Sequence, residues 1–315
     1  MLLSAIRYSP FATRLTDTQR GSPLADRRLV EFAPAKINLT LTVVGKRADG
    51  FHDLASLVTF ASIGDVLSLR PGSALSLAVS GPFAEAAGDS DANLVLKAAR
   101  ALKRRRPELA LGQFILEKRL PVAAGLGGGS ADAAASLRLI ARANGLSPAD
   151  ADLVRAAEET GSDVPVCLAG GSRMMRGRGE ILGPLLRLPS CSAVLVNPGV
   201  RLETARVFKA LRRQSDAVPG FEPPADIAAD RDWLAAIAAC RNDLEAPAVG
   251  LEPAVETARQ ALGTEPGCLL ARMTGSGATV FGLFAEAGSA SAAASSIAQA
   301  RPRWWVQAVT LGAGA

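Results

Sequence analysis

Hydrophobic and polar residues alternate along the chain from residue 29 to about residue 60. The clearest segment has an apolar residue at every second position: Ile37, Leu39, Leu41 and Val43. This period of two predicts a β-strand with one buried face. Lys36 and Asn38 then lie on the opposite face, where both side chains can approach the same ligand.

The pattern between residues 66 and 120 predicts strands on either side of a helix. Val66–Leu69 and Leu75–Val79 have the alternation of a hairpin, with Pro71-Gly72 as its turn. Residues 92–105 carry apolar side chains at helical spacing, and Gln113–Leu120 returns to the spacing of a strand. The first part of the chain is therefore predicted to mix sheet and helix.

Two helices are predicted after a glycine-rich loop. The first is rich in small residues and extends from about Ser130 to Ala143. Ser147-Pro148 combines a capping serine with a proline suited to a first helical turn, so the second helix is predicted to begin there. It is predicted to stop at Gly161, ahead of Ser162-Asp163-Val164-Pro165.

Beyond Gly171 the order of predicted elements changes. They are, in chain order, a strand (Ser192–Val196), helices near 203–213, 231–239 and 252–262, two strands flanking Gly275-Ser276-Gly277, a helix (286–299) and a strand (Trp304–Leu311). This order fits a split βαβ, ferredoxin-like domain, which places the domain boundary near residue 170. The polar, proline-rich stretch Gln214–Asp226 is predicted to be a surface excursion.

Composition narrows the class of protein. The 315-residue chain is 49% hydrophobic and 21% charged, which is typical of a globular protein long enough for two modest cores. Its net charge is +5, but the basic run Lys103–Arg106 contains no aromatic residue, so no nucleic-acid partner is expected. No apolar run reaches the roughly 20 residues of a membrane span, so no membrane partner is expected either.

Histidine and cysteine usage excludes further chemistry. His52 is the only histidine of the sequence, so a multi-histidine metal site is impossible and any nucleophile–histidine pair would have to use it. The four cysteines, Cys167, Cys191, Cys240 and Cys268, lack the spacing of a zinc site or a disulfide framework. A reducing compartment is therefore expected, with carboxylates, lysines and backbone groups as the reactive groups.

Residues 1–28 form an extension that is predicted to be disordered. Its arginines are separated by serine and threonine with few acidic residues, which is also typical of an organellar transit peptide. We favour a bacterial extension or an upstream start codon, and hence a cytoplasmic location. The plastid stroma is the alternative if residues 1–28 are a transit peptide.

A glycine-rich segment lies between the strand at Gln113–Leu120 and the helix after it: Pro121-Val122-Ala123-Ala124-Gly125-Leu126-Gly127-Gly128-Gly129-Ser130-Ala131. Its glycines can expose successive backbone N–H groups, and a helix start adds unpaired donors and partial positive charge. The segment is therefore a candidate cradle for a polyphosphate. It matches neither a Walker A loop nor a dinucleotide fingerprint, and a flexible connection without a ligand is the alternative.

Three shorter motifs each have a structural and a functional interpretation. Lys36, within Pro34–Thr40, is either a solvated edge lysine or a ligand-binding cation. Asp163, after Gly161, is either a turn residue or a carboxylate that accepts a proton from an alcohol beside a lysine. The glycine-containing segment Met273–Phe281 is either a tight hairpin or a backbone surface on which another loop packs.

In combination and in this order, the motifs resemble those of the GHMP kinase superfamily. The sequence contains P-x-x-x-G-L-G-G-G-S, then G-x-D-V-P, then T-G-S-G-A. P-A-K-I-N-L, R-A-D-G-F-H and G-L-G-G-G-S-A-D are similar to the branch of the superfamily that phosphorylates a cytidine-diphosphate alcohol. The resemblance covers about residues 29–311.

The resemblance implies an α+β fold, the GHMP kinase fold, with two domains. A ribosomal-S5-like ATP-binding and catalytic domain would span residues 29–170, and a ferredoxin-like C-terminal domain would span residues 171–315. The active site would lie between them. Lys36 and Asp163 match the catalytic pair of the superfamily.

The resemblance also implies binding sites for two substrates. The loop Pro121–Ala131 would hold the phosphates of ATP, with Asn93 and Lys118 on the adenosine side. The cytidine substrate would be bound by five residues: Asn38, Phe51, His52, Thr204 and Phe208. Flat rings stack on a pyrimidine, and an imidazole can bond the base edge. Phe51 stands where tyrosine is common in the family, and Glu203 stands where proline is usual.

The implied reaction is ATP-dependent phosphorylation of the C2 hydroxyl of 4-diphosphocytidyl-2-C-methyl-D-erythritol, in the non-mevalonate isoprenoid pathway, with Mg²⁺ as the metal cofactor. Another GHMP kinase, acting on homoserine, mevalonate or a sugar, is the alternative among enzymes. A non-catalytic S5-like binding protein is the alternative outside them. The chain is expected to be a monomer or a weak homodimer.

Overall fold

A computed structural model describes residues 28–88, 91–211 and 233–312 of the chain. The predictions for residues 1–27, for the surface excursion at Gln214–Asp226 and for the start of the helix near 231–239 lie outside the described residues. Every motif discussed above falls inside them.

Both halves of the chain mix strands with helices, as the hydrophobic pattern predicts. The first half contains β1 (Leu29–Asn38), β2 (Thr42–Lys46), β3 (His52–Arg70), β4 (Ser76–Ser80), α1 (Ala84–Ala87), α2 (Leu94–Arg105), β5 (Gln113–Glu117), α3 (Gly128–Ala143), α4 (Ala151–Thr160), α5 (Val164–Ala169), β6 (Arg173–Gly177) and β7 (Ile181–Leu182). The second half contains β8 (Cys191–Asn197), α6 (Thr204–Ala210), α7 (Trp233–Ala239), α8 (Glu245–Leu251), α9 (Ala254–Gly263), β9 (Cys268–Met273), β10 (Val280–Phe284), α10 (Ala287–Ala300) and β11 (Trp305–Leu311).

The 19-residue strand β3 organises the first half, pairing antiparallel with β1, β2, β5 and β6. Val66–Leu69 belong to this strand, and β5 lies between it and β4. The predicted hairpin of Val66–Leu69 with Leu75–Val79 is therefore wrong, because β4 pairs in parallel with β5. Phe114 and Leu116 of β5 are almost fully buried, whereas β4 is partly exposed, so the more apolar strand takes the inner position.

The strands of the two halves join in one sheet, in the order β4-β5-β3-β11-β8-β10-β9. β11 meets β3 where Leu311 lies opposite Ala61. β6 and β7, which follow residue 170 in the chain, pair with β3 and with each other. The domain boundary near residue 170 stays a prediction.

Helix α3 packs closely on the first-half sheet, which fixes the position of its first turn. Ala133, Ala134 and Ala135 are fully buried in the core, and small side chains allow a helix to approach a sheet closely. The Arg138 guanidinium also donates to Glu31 of β1 at 2.7 Å. The glycine loop that precedes α3 is thereby held against β1.

The predicted helices are present, with one shifted start. Asp150, not Ser147, caps α4, because its side chain accepts a hydrogen bond from the backbone N–H of Asp152 at 2.8 Å. Three helices were not predicted: α1, α5 and α8. They contain 4, 6 and 7 residues; α1 and α5 are too short to show a helical period, and α8 contains Pro247 and Gly250, which weaken the signal for a helix.

Candidate active site

A cleft of about 1460 Å³ lies between the end of β1, the glycine loop and α6. Most of the residues predicted to bind or react line it: Lys36, Asn38, Phe51, His52, Asn93, Lys118, Pro121 to Ser130, Asp163, Thr204 and Phe208. Ala131 is the exception, since its side chain lies in the core and its N–H already donates to the carbonyl of Gly127. The structure therefore removes Ala131 from the free donors of the loop.

The glycine loop ends in an uncapped helix start. Gly127, the residue before α3, adopts a left-handed conformation with φ of 61° and has no side chain that could accept from the first turn. The first N–H groups of a 16-residue helix therefore face the cleft without a side-chain partner. They and the helix dipole suit an anionic ligand.

The segment 274–279 braces the glycine loop from the second half. A methyl group on Gly125 would lie 2.5 Å from the carbonyl oxygen of Thr274, so only glycine permits this approach. The Thr279 N–H donates to the carbonyl of Ala124 at 3.1 Å. Both interpretations of Met273–Phe281 hold: the segment is the hairpin turn between β9 and β10, and the glycine loop packs on it.

Lys36 and Asp163 form an ion pair in the cleft. The ammonium nitrogen of Lys36 lies 2.6 Å from Oδ2 of Asp163, although the residues are far apart in sequence. Lys36 is only 3% exposed, which excludes a solvated edge lysine. Asp163 precedes α5 but makes no capping bond, and its carboxylate remains 32% exposed to the cleft. The pair therefore offers a proton acceptor next to a fixed positive charge.

Lys118 belongs to a buried group of three charges. Its ammonium donates to Oδ2 of Asp65 and to Oδ2 of Asp132, each at 2.6 Å. Burial lowers the pKa of Lys118, but the two carboxylates outweigh it, so the pKa is raised above its ordinary value and the amine stays charged. Sequence reasoning assigned no role to either carboxylate: Asp65 belongs to no recognisable motif, and Asp132 ends the quoted motif G-L-G-G-G-S-A-D without a predicted contact.

Asn93 is a capping residue at the same end of the cleft. Its Oδ1 accepts from the backbone N–H of Val95 at 3.0 Å, and its Nδ2 donates to the carbonyl of Gly88 at 2.8 Å. It therefore fixes the start of α2 at the edge of the cleft, and both of its polar atoms have protein partners.

Aromatic rings gather at the other end of the cleft. His52 and Phe208 stack with ring centroids 4.9 Å apart and planes inclined by 21°. Phe51 is 48% exposed, and the guanidinium of Arg178 lies 5.0 Å from its ring centroid. Burial, followed by the charge of Lys46, lowers the pKa of His52 below its ordinary value, so the ring is neutral at pH 7. Arg178 was not predicted, since a single arginine in a glycine-rich turn gives no sequence signal.

Asn38 and Thr204 connect these groups to the brace 274–279. Asn38 donates its backbone N–H to Oγ1 of Thr274, and its Nδ2 to Oγ of Ser56. Oγ1 of Thr204 is hydrogen-bonded to Oγ of Ser276 at 2.8 Å. Glu203 occupies the N-cap position of α6 without a capping bond, so the usual proline is replaced without any new contact at that position.

Comparison with known proteins defines first a class and then a family. The sequence model of the GHMP kinases N terminal domain matches residues 93–171, and that of the GHMP kinases C terminal region matches residues 225–302. A homoserine kinase structure from Cytophaga hutchinsonii shares the fold with a TM-score of 0.68 at 16% identity, covering 89% of this chain and 94% of its own. The class is therefore the GHMP kinases.

Relatives with higher sequence identity identify a family within the GHMP kinases. A 4-diphosphocytidyl-2-C-methyl-D-erythritol kinase of Methylorubrum extorquens is 53% identical over 288 residues, which cover 90% of this chain and 99% of the relative. One from Rhodopseudomonas palustris is 49% identical over 309 residues, covering 96% and 99%. A crystal structure of 4-(cytidine 5'-diphospho)-2C-methyl-D-erythritol kinase matches with a TM-score of 0.71 at 35% identity, covering 90% and 99%. The chain belongs to the 4-diphosphocytidyl-2-C-methyl-D-erythritol kinase family.

The described residues contain neither a membrane-spanning helix nor a side-chain cluster for a metal ion. Across residues 28–88, 91–211 and 233–312, no helix is long and apolar enough to cross a membrane. In the same ranges, no group of three or more histidine, cysteine, aspartate or glutamate side chains is arranged to hold a metal ion.

Proposed function

We propose that this chain transfers the γ-phosphate of ATP to the C2 hydroxyl of 4-diphosphocytidyl-2-C-methyl-D-erythritol. The observation that carries the proposal is the Lys36–Asp163 pair, set at 2.6 Å in a cleft with a glycine loop at one end and aromatic rings at the other. Membership of the family named above supports the choice of substrate.

Asp163 acts as the general base. Its partly exposed carboxylate accepts the proton of the attacking hydroxyl, while the neighbouring ammonium of Lys36 stabilises the negative charge that develops on the oxygen. The new bond forms between this oxygen and the γ-phosphorus, and the bond from phosphorus to the bridging oxygen of ADP breaks. Little covalent chemistry by the protein is required in such a transfer, so positioning and charge dominate.

The loop from Pro121 to Ser130 binds the ATP phosphates through backbone N–H groups and the dipole of α3. Asn93 and Lys118 lie on the adenosine side. Mg²⁺ neutralises charge on the transferred phosphoryl group when it is bound. Magnesium in kinase sites is usually bound by substrate phosphates together with one or two carboxylates, so it would enter with ATP.

Phe208, His52 and Phe51 select the cytidine. The centroid separation of 4.9 Å between His52 and Phe208 is that of rings in direct contact, so a base cannot enter between them without displacing one. The cytosine therefore stacks on Phe208 or Phe51, and neutral His52 bonds its edge. Asn38 and Thr204 contact the rest of the substrate. A monomer or weak homodimer in the cytoplasm stays our prediction.

A substrate panel tests the proposal. The purified chain receives labelled MgATP with 4-diphosphocytidyl-2-C-methyl-D-erythritol, homoserine, mevalonate or galactose, and label transfer to each alcohol is measured. We expect transfer to the cytidine-linked alcohol alone. Preference for an alcohol without cytidine would assign the chain to a different GHMP activity. Absence of transfer to all four, together with RNA binding, would favour the non-catalytic alternative.

A further inference from the structure

Three charged side chains are buried directly beneath the glycine loop. Lys118, Asp65 and Asp132 are at most 3% exposed, and one ammonium serves both carboxylates. A methyl group on Gly128 would lie 3.1 Å from the Lys118 nitrogen and 3.5 Å from Oδ2 of Asp65. We call these three side chains the buried triad; it lies in contact with the first residue of α3.

The two carboxylates of the buried triad are held unequally. Oδ1 of Asp65 accepts from the backbone N–H groups of Arg119 and Leu120 at 2.6 and 2.9 Å, and its Oδ2 accepts from Lys118. Oδ1 of Asp132 is buried and has no hydrogen-bond partner. A buried charged oxygen without a donor is costly, so Asp132 is the member that gains most from a proton.

The charges around Asp132 also favour its protonated form. Burial raises the pKa of Asp132, Lys118 lowers it and Asp65 raises it again, with a net rise to about 7. From α5, Cys167 faces this region, and its thiol is neutral because burial raises its pKa to about 12. On α3 itself, the nearest charged side chain in sequence is Arg138, which is paired with Glu31. Only Lys118 therefore opposes protonation at close range among the groups described.

We propose that binding of the ATP triphosphate over the glycine loop is coupled to the uptake of one proton by Asp132. The buried triad holds one ammonium and two carboxylates, so one negative charge is uncompensated before the ligand arrives. A triphosphate on the glycine loop adds negative charge next to the buried triad, and repulsion is stronger for charges that are buried than for charges in water. Lys118 lies on the adenosine side but next to Gly128, so if it also shares its ammonium with the nearest phosphate oxygen, both carboxylates lose part of their only cation.

Protonation of Asp132 removes this repulsion between the triphosphate and the buried triad without a change in the backbone. The proton is taken from solvent and attaches to the Asp132 carboxylate, so the net charge of the buried triad becomes zero and no charged oxygen remains without a donor. This inference rests on ATP being the bound phosphate donor, as proposed above. Reciprocity of binding requires that nucleotide affinity falls as the pH rises above the pKa of the free triad.

Calorimetry of the intact chain tests the coupling. The magnesium complex of the non-hydrolysable analogue AMP-PNP is titrated at pH 6 and pH 8, each in two buffers of different ionisation enthalpy. We expect uptake of close to one proton at pH 8 and much less at pH 6, where Asp132 is already protonated. Kd should rise by up to about tenfold per pH unit above pH 7. Binding at pH 8 without proton uptake would overturn the inference and leave the proposed function intact.

Substitutions assign the proton to one residue. Asp132→Asn keeps the size of the side chain but cannot titrate, so proton uptake and the pH dependence of Kd should both disappear. Asp152→Asn, the same change on α4 outside the cleft, should retain both. Uptake that persists in Asp132→Asn would overturn the assignment, and if that variant does not fold, the proton count of the unaltered chain still decides the coupling. A chain that binds no AMP-PNP at all would instead contradict the proposed function.

Discussion

The two ends of the cleft are built in different ways. At the transfer end, Lys36 is buried in an ion pair with Asp163, and the loop around Gly125 is held by backbone contacts and by the buried side chains of Ala124 and Leu126. At the recognition end, Phe51 is about half exposed, and His52 and Phe208 contact each other in the place where a base would stack. The groups of the first end are already in contact without a ligand, whereas the second offers exposed ring faces on which a base can stack.

This difference indicates that phosphoryl transfer and substrate recognition are performed by separate parts of the cleft. Groups that stabilise charge act best when they need no reorganisation, which explains a rigid transfer end. Rings that bind a base lose little by remaining mobile, because stacking tolerates small changes in position. We therefore expect substitutions at the transfer end to affect turnover or folding, and substitutions at the recognition end to affect substrate affinity.

The largest effect is expected for Asp163→Asn. Removal of a general base costs about 10²–10⁴-fold in rate, so kcat should fall at least ~100-fold. The asparagine can still contact Lys36, and the glycine loop is unchanged, so the Kd of MgATP should stay within a few-fold. Steady-state kinetics and calorimetry measure the two quantities. Asp152→Asn serves as the matched control, and near-normal turnover of Asp163→Asn would remove Asp163 from the role of base.

Gly125→Ala should destabilise the contact between the glycine loop and the segment 274–279. Gly125 has a φ of 75°, which costs other residues about 1–3 kcal/mol, and its new methyl group would lie 2.5 Å from the carbonyl oxygen of Thr274. Overpacking adds roughly 1–3 kcal/mol. We expect a loss of stability in thermal unfolding and weaker ATP binding.

Gly145→Ala separates the two causes for Gly125. Its φ of 67° is similarly strained, but nothing lies within 4 Å of the position of its new methyl group. The control should therefore show the conformational cost alone. Equal destabilisation by both substitutions would mean that the brace 274–279 does not hold the glycine loop rigidly.

Phe208→Ala tests the recognition end. Loss of a stacking ring costs about 1–3 kcal/mol, so KM for the cytidine substrate should rise roughly 5- to 150-fold. The buried transfer end does not contact this ring, so kcat should change little. Phe208→Tyr keeps the ring and should stay near the unaltered protein. A fall in kcat with unchanged KM would contradict the division between the two ends.

The sequence predicts the transfer end better than the recognition end for a physical reason. The strand with Lys36, the loop to Ser130 and the start of α3 are contiguous or follow local periods, and the structure places them as expected. The stack of His52 on Phe208 depends on where α6 lies relative to β3. No local pattern encodes that distance. The family resemblance therefore identified His52 and Phe208 as substrate-binding residues, but nothing in the sequence predicted that their rings are in contact.

The missed carboxylate Asp65 shows the same limit inside the first half. Val66–Leu69 were predicted to form a hairpin with Leu75–Val79, but β3 runs without interruption through Gly64 and Asp65 to Arg70. A side chain on Gly64 would lie 2.3 Å from the carbonyl oxygen of Ala33 in β1. The glycine is required by close approach of β1, and the aspartate by Lys118. Both contacts join residues that are far apart in sequence, so the local pattern of hydrophobic and polar residues does not show them.

The smallest effect concerns the protonation of His52. Burial and Lys46 lower its pKa below the ordinary value of 6.5, so the folded protein binds this proton less readily than the unfolded chain. The contribution to stability is therefore present above about pH 6.5 and is lost as the pH falls through the lowered pKa.

Protonation of His52 should also weaken binding of the cytosine base. An imidazolium would stack more strongly on Phe208 by a cation–π contact, and it would lose the nitrogen that accepts a hydrogen bond. We expect KM for the cytidine substrate, measured at saturating MgATP, to be constant from pH 7 to 8 and to rise a few-fold on acidification. His52→Gln should have a higher KM without this acid limb, and an acid limb that persists in the variant would assign the titration to another group.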